Sequence, residues 1–165
     1  MPSGWSLQER RTTERRRCDA AGVFVERRQL PRPQRVMIVD DDADVRAVWW
    51  EWLTLWRFSV VEAENGSVAV DRARERRPDV IIMDVTMPVL DGFGATEQLK
   101  RDRTTARVPV LLLSADSTRA AIDRASSVGG DAFLSKPIRA GELLEEIRRA
   151  FRRQIAEREE AVRQI

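Results

Sequence analysis

Three aspartates, a serine and a lysine stand at the ends of short apolar runs that lie far apart in the chain. Val36-Met37-Ile38-Val39 leads into Asp40-Asp41, and Val80-Ile81-Ile82-Met83 leads into Asp84. Val110-Leu111-Leu112-Leu113 ends in Ser114, and Ala132-Phe133-Leu134-Ser135 runs into Lys136-Pro137. Gathered in one place, the carboxylates would repel. At about 4 Å and an effective dielectric near 20, each like-charged pair costs roughly 4 kcal/mol. Such a cluster persists only with a neutralising cation or partial protonation. With oxygen ligands alone, Mg²⁺ is the natural cation. A carboxylate beside a hard cation, an ammonium and a hydroxyl suits phosphoryl transfer. It can act as nucleophile and become an acyl phosphate, while the positive groups and the hydroxyl stabilise charge on the equatorial oxygens. Asp84, alone at its strand end, is the best nucleophile. Lys136 is one of two lysines among 29 basic residues. Its compact ammonium fits a single phosphate oxygen better than a planar guanidinium does.

These residues can meet only if the runs are parallel strands whose carboxyl ends share one edge. Helix-like stretches separate the runs, and that alternation predicts an α/β parallel sheet. Strand one is read as Arg35 to Val39. Helix one follows from about Asp44 to Arg57, with Val45, Val48, Trp49, Trp52, Leu53 and Trp56 on one inward face. Trp50 and Leu55 fall off that face and are expected to be exposed. Residues 58–63 make a second strand. After the Asn65-Gly66 turn, Ser67 is the expected cap of a helix reaching about Arg77. Strand three is Val80 to Asp84, and a loop holds Pro88, Asp91 and Gly92. Helix three spans about Phe93 to Arg103, strand four Val110 to Ser114, helix four about Ser117 to Ser127, and strand five Ala132 to Ser135. The last helix starts near Gly141 and continues toward Ile165. Its apolar face is Leu143, Leu144, Ile147, Phe151 and Ile155, and Glu145–Arg149 is an expected i,i+4 pair. The apolar stripe thins beyond Ile155, leaving room for a weak homodimer contact but no coiled-coil seam.

The bulk properties bound the rest. The 165 residues suit one domain with tails, and 42% hydrophobic content is enough for a core. No apolar run approaches the roughly 18 residues of a membrane span, and the N-terminus lacks a signal-peptide core, so the cytoplasm is the expected location. A chain without histidine has no His-ligated zinc, Ser-His-Asp triad or phosphohistidine of its own. Cys18, the sole cysteine, permits no internal disulfide. Residues 1–34 carry eight arginines against four acids and no sustained period, so they are read as an Arg-rich flexible arm. Poor aromatic interleaving gives nucleic-acid binding through that arm little support.

Taken together, the motifs resemble the receiver domain of the two-component response-regulator family. The matching segments are Val36–Asp42, the run Pro78-Asp79-Val80-Ile81-Ile82-Met83-Asp84 with Met87-Pro88 and Asp91-Gly92, then Pro109–Ala115 and Phe133–Pro137. They fall in the right order over about residues 35–152. The resemblance implies a flavodoxin-like, doubly wound five-stranded parallel sheet in the order 2-1-3-4-5 with five helices. Residues 153–165 become a helical C-terminal extension. The resemblance also assigns roles. Asp84 would accept phosphate from the phosphohistidine of a histidine kinase or histidine phosphotransfer protein. Asp41 and Asp84 would ligand Mg²⁺ directly, Asp40 through water, and Thr86 through its backbone carbonyl. Ser114 and Lys136 would bind the phosphoryl group, and Phe133 would take the place of the switch aromatic that moves with Ser114. A downstream protein would dock on the face formed by residues 115–152. About 13 residues follow Arg152, so the expectation is a stand-alone receiver, a signalling phosphoacceptor and not an enzyme acting on other substrates.

Two other classes compete. Asp40-x-Asp42 superficially resembles the haloacid-dehalogenase pattern, implying a magnesium-dependent aspartyl-phosphate phosphatase. However, Ala43-Asp44 departs from that pattern, and Asp84 would have no role. A pseudo-receiver would dock its partners without phosphorylation. Retention of Asp41, Asp84, Ser114 and Lys136 argues against that reading. Asp42 is read simply as the cap of helix one.

Overall fold

A computed structural model describes residues 33–164. The expected arm over 1–34 falls outside the described residues, apart from Pro33 and Gln34. The elements run β1 (Arg35–Val39), α1 (Ala43–Leu55), β2 (Ser59–Ala63), α2 (Gly66–Arg76), β3 (Val80–Asp84), α3 (Gly92–Arg101), β4 (Val110–Ser114), α4 (Arg119–Ser127), β5 (Ala132–Ser135) and α5 (Ala140–Arg163). The strands form one parallel sheet in the order β2-β1-β3-β4-β5. β3 is therefore central, as expected, and its residues are buried throughout.

A strand buried on both faces reads as an unbroken apolar run, because successive side chains serve opposite layers. Met37, Val39, Ile81, Met83, Val110 and Leu112 pack with Ala69, Val70 and Ala73 of α2, Phe93 and Leu99 of α3, and Ala125 of α4. Val36, Ile38, Val80, Ile82, Leu111 and Leu113 pack on the other face with Leu53 of α1 and with Leu143, Ile147 and Phe151 of α5. Fully burying one such side chain is worth about 1.5–3 kcal/mol. These two layers, rather than helix propensity, hold the helices in place. Among the described residues no helix is long and apolar enough to cross a membrane.

Several local expectations need correction. On α1 only Leu53 is buried, with Trp49 and Trp56 packed partly against the core. Val48 and Trp52, read as core, are 52% and 42% exposed. The line of side chains that packs against the core from this segment is Trp49–Leu53–Trp56. Val48 and Trp52 stand beside that line, and the Trp52 ring lies tilted against that of Trp56 with centroids 5.7 Å apart. Trp50 and Leu55 are exposed as expected. The cap of α2 is Asn65, whose side chain accepts the Val68 N–H at 3.0 Å, and not Ser67. Arg149 pairs with Glu146 at 2.6 Å instead of with Glu145. Asp42 does cap α1, accepting the N–H groups of Asp44 and Val45.

Candidate functional site: an acidic cleft bridged by a lysine

Parallel strands deliver their last residues to one edge, where no further ladder exists to occupy them. Asp40 follows the end of β1, Asp84 closes β3, and Lys136 follows β5. All three continue the register of residues that pack toward α1 and α5. They converge: the Lys136 Nζ lies 2.9 Å from Asp84 Oδ1 and 3.1 Å from Asp40 Oδ2. Each of Asp40, Asp41 and Asp84 offers a carboxylate oxygen within 4.8 Å of the others. Asp40 and Asp84 are buried, Asp41 is exposed and Lys136 is half-buried.

Asp40 is held on every side. Its N–H donates to the Ala63 carbonyl, its Oδ1 accepts the Asp42 N–H at 3.0 Å, and its carbonyl accepts from Arg46. Asp84 accepts from Lys136 and from the Thr86 N–H. Burial pushes the Asp84 carboxyl above its ordinary value, outweighing the opposing pull of the Lys136 hydrogen bond. Burial works against the Lys136 ammonium as well, but hydrogen bonds to Asp84 and Asp40 outweigh it and hold the ammonium above its usual range. Lysine is thus the charged bridge of the cleft, a contact the strand-end pattern alone did not specify.

The donor set fits a hard divalent cation. Three carboxylates against one ammonium leave a formal charge of −2. Both buried acids already give one oxygen to Lys136, and each retains lone pairs for a further partner. The exposed Asp41 opens the group to solvent.

Ser114 ends β4 beside Asp84, since Asp84 pairs in register with Leu113. It is buried, and its Oγ accepts the Asp116 N–H of the following loop at 3.1 Å. Phe133 is not brought into the acidic cleft. It pairs with Leu112 and packs partly against the core shared by α2, α3 and α4. Thr86 is exposed in the β3–α3 loop. That loop folds tightly over the end of β3, with Gly92 donating its N–H to the Val85 carbonyl at 2.9 Å. A Cβ on Gly92 would lie 2.3 Å from the Asp84 carbonyl oxygen, so only glycine admits this approach. Sequence reasoning missed Arg46 and Glu62. The one available signal was an arginine inside the apolar first half of α1.

Comparison with known proteins agrees with this geometry. A family model described as the response regulator receiver domain matches residues 36–148. The chemotaxis protein CheY of Bacillus subtilis is 37% identical over 118 residues, covering 71% of this chain and 97% of that protein. A probable transcriptional regulator, ycf27 of Guillardia theta, is 33% identical over 124 residues, 75% of this chain, and the chain spans only 48% of its length. Among solved structures, the receiver domain of the sensor histidine kinase PA1611 from Pseudomonas aeruginosa PAO1 superposes with a TM-score of 0.67 at 29% identity. That match covers 72% of this chain and 97% of that domain, which was solved with a magnesium ion coordinated in its active site cleft.

Proposed function

This chain belongs to the response regulator receiver family, and on that footing we propose that Asp84 accepts a phosphoryl group from the phosphohistidine of a separate histidine kinase or histidine phosphotransfer protein. Residues 35–152 form the receiver proper, and 153–163 continue α5. The reading is carried by one observation: the buried Asp84 at the tip of the central strand, 2.9 Å from an ammonium and clustered with two further carboxylates.

An Asp84 carboxylate oxygen attacks phosphorus. The P–O bond forms as the P–N bond to the donor imidazole breaks, and the departing ring nitrogen takes the electron pair. Lys136 moves its ammonium from carboxylate oxygen to phosphoryl oxygen without leaving the cleft. Ser114 already uses its Oγ as an acceptor and keeps its O–H proton free to donate to the phosphoryl group. Asp41 and Asp84 directly, Asp40 through a water, and the Thr86 carbonyl are the groups for Mg²⁺, which when bound supplies further charge stabilisation to the phosphoryl oxygens. Asp40 accepts the Asp42 N–H at its Oδ1 and the Lys136 ammonium at its Oδ2.

The switch follows from the same bonds. Drawing Ser114 toward a phosphoryl oxygen pulls on the Asp116 N–H and therefore on the loop entering α4. α4 buries only Ala121 and Ala125, a light anchor that yields easily. Phe133 packs on the same side of the sheet and repacks as that space changes. The face over residues 115–152 then presents a different surface to a protein target.

Acetyl phosphate treatment with Mg²⁺, followed by mass spectrometry of peptides, tests the proposal. Label on Asp84, lost in Asp84→Asn and in metal-free buffer, is the expected result. Label on Asp40 would move the chain to the phosphatase class. No label, together with no Mg²⁺-dependent beryllium trifluoride binding, would make it a docking module.

A further inference from the structure

Asp41 is the exposed member of the acid cluster, and among the described residues its carboxylate has no hydrogen-bond or ion-pair partner. Its place beside Asp40 and Asp84 is therefore set by backbone alone. The backbone in question is the peptide joining Asp40 to Asp41, just past the last rung of β1. A carbonyl there has no ladder partner, and an unpaired buried carbonyl is costly. Arg46 supplies the missing donor. From the second turn of α1 its Nη1 donates to the Asp40 carbonyl at 2.7 Å, while its Nε lies 3.5 Å from Glu62 Oε1 on β2. The Arg46 side chain is only 17% exposed. The guanidinium is planar with donors in a fixed fork, so gripping two elements at once also fixes the plane of the peptide it holds.

We infer that Arg46 is a positioning residue for the acidic cleft. Braced by Glu62, it locks the Asp40–Asp41 peptide so that the Asp41 carboxylate stands where it can share a divalent cation with Asp84. The inference rests on the proposed receiver chemistry for its consequence, while its geometric core is the pair of contacts that Arg46 makes with Asp40 and Glu62. A merely structural strut between α1 and β2 would affect stability alone. A positioning residue also affects the order of the Asp40–Asp42 backbone and the affinity for the cation. Partners that orient metal-ligating groups typically change affinity by about 10–100-fold when removed.

The test uses the full chain with Arg46→Met, which keeps an apolar stem, and Arg46→Lys, which can restore one donor to the Asp40 carbonyl. Mg²⁺ affinity is read by calorimetry, and amide hydrogen exchange of Asp41 and Asp42 is read in metal-free protein. Arg46→Met is expected to weaken Mg²⁺ binding about tenfold and to speed exchange at Asp41 and Asp42 beyond any change in α1 or β2, with partial recovery in Arg46→Lys. If Arg46→Met does not fold, Arg46→Gln, which keeps a polar head but cannot span to Asp40, decides in the same way. Unchanged local exchange, or Mg²⁺ affinity equal to that of the wild-type chain, overturns the inference. Failure of the wild-type chain itself to bind Mg²⁺ counts against the proposed function, while the exchange comparison still judges Arg46.

Discussion

Replacing Gly92 with alanine sets one methyl group against the backbone that carries Asp84. The added Cβ would stand 2.3 Å from the Asp84 carbonyl oxygen, 2.8 Å from the Val85 Cα and 3.0 Å from the Asp84 carbonyl carbon. Ordinary contact begins at 3.4 Å, so the two segments must part by about 1 Å. No flexible side chain is available to give way, because every atom met is main chain. Extra methyl groups forced into packed interiors usually cost about 1–3 kcal/mol, and an unyielding neighbour puts this site near 3 kcal/mol. Parting the segments also strains the Gly92 N–H bond to the Val85 carbonyl, worth about 1 kcal/mol net. The total is a destabilisation of about 3–4 kcal/mol, a large share of the roughly 5–15 kcal/mol that holds a typical domain together. Gly141 provides the control. A Cβ added there would meet nothing within 4 Å, and the residue sits in the first turn of α5. Gly141→Ala should therefore stabilise by roughly 0.5–1 kcal/mol through helix propensity. Urea unfolding of both variants measures the difference, and acetyl phosphate labelling of Gly92→Ala reports on Asp84. A misplacement near 1 Å lowers reactivity by about 100-fold. Equal unfolding midpoints for the two variants, or unimpaired labelling of Gly92→Ala, would refute the steric argument.

Three further outcomes follow from the same structure. Arg57 has φ of 68° just past α1, where its N–H bonds the Thr54 carbonyl and the Phe58 N–H bonds that of Leu53. Arg57→Gly should raise stability by about 1 kcal/mol in urea unfolding, since a left-handed L-residue costs roughly 1–2 kcal/mol and glycine returns part of that as chain entropy. Leu53→Ala should lose about 2–5 kcal/mol by the same measurement, whereas the exposed Leu55→Ala should change stability by less than about 0.5 kcal/mol. The Asp102 carboxyl is held down at about 2, against an ordinary 3.8, by hydrogen bonds from the Thr104 side chain, Arg74 and the Thr104 backbone. Its folded value is depressed, so its contribution to stability is present above pH 3.8 and disappears as the pH falls toward about 2. Carbon-detected NMR titration should find that value raised in Arg74→Ala, and an unmoved titration would dismiss Arg74 as a cause.

The elements that the residues announced most clearly are those governed by local chemistry. β1, β3, β4 and β5 span the residues that the apolar runs and their flanking polar residues predicted. Asp42 caps α1 because a side-chain oxygen two or three residues away is the nearest acceptor for the first free N–H groups of the helix. The gathering of the acids and the lysine was legible too, since parallel strands deliver their ends to one edge. The misjudged positions are those where the structure chose between near neighbours of similar chemistry. Asn65, rather than Ser67, starts α2, because the Gly66 N–H bonds the Leu90 carbonyl of the β3–α3 loop and draws the helix start forward. Glu146, rather than Glu145, takes Arg149.

The identity of the residues at the strand ends, their delivery to one strand edge and the plan of helices on both faces of a parallel sheet were thus determined by sequence, because apolar periodicity and residue chemistry act over a few positions. Tertiary structure alone decided which oxygens Lys136 grips, that Arg46 reaches back to the carbonyl of Asp40, and that Val48 and Trp52 face outward. Those outcomes depend on angles and separations between packed elements. An angle around a helix or a fraction of an ångström between strands leaves no mark in the order of amino acids.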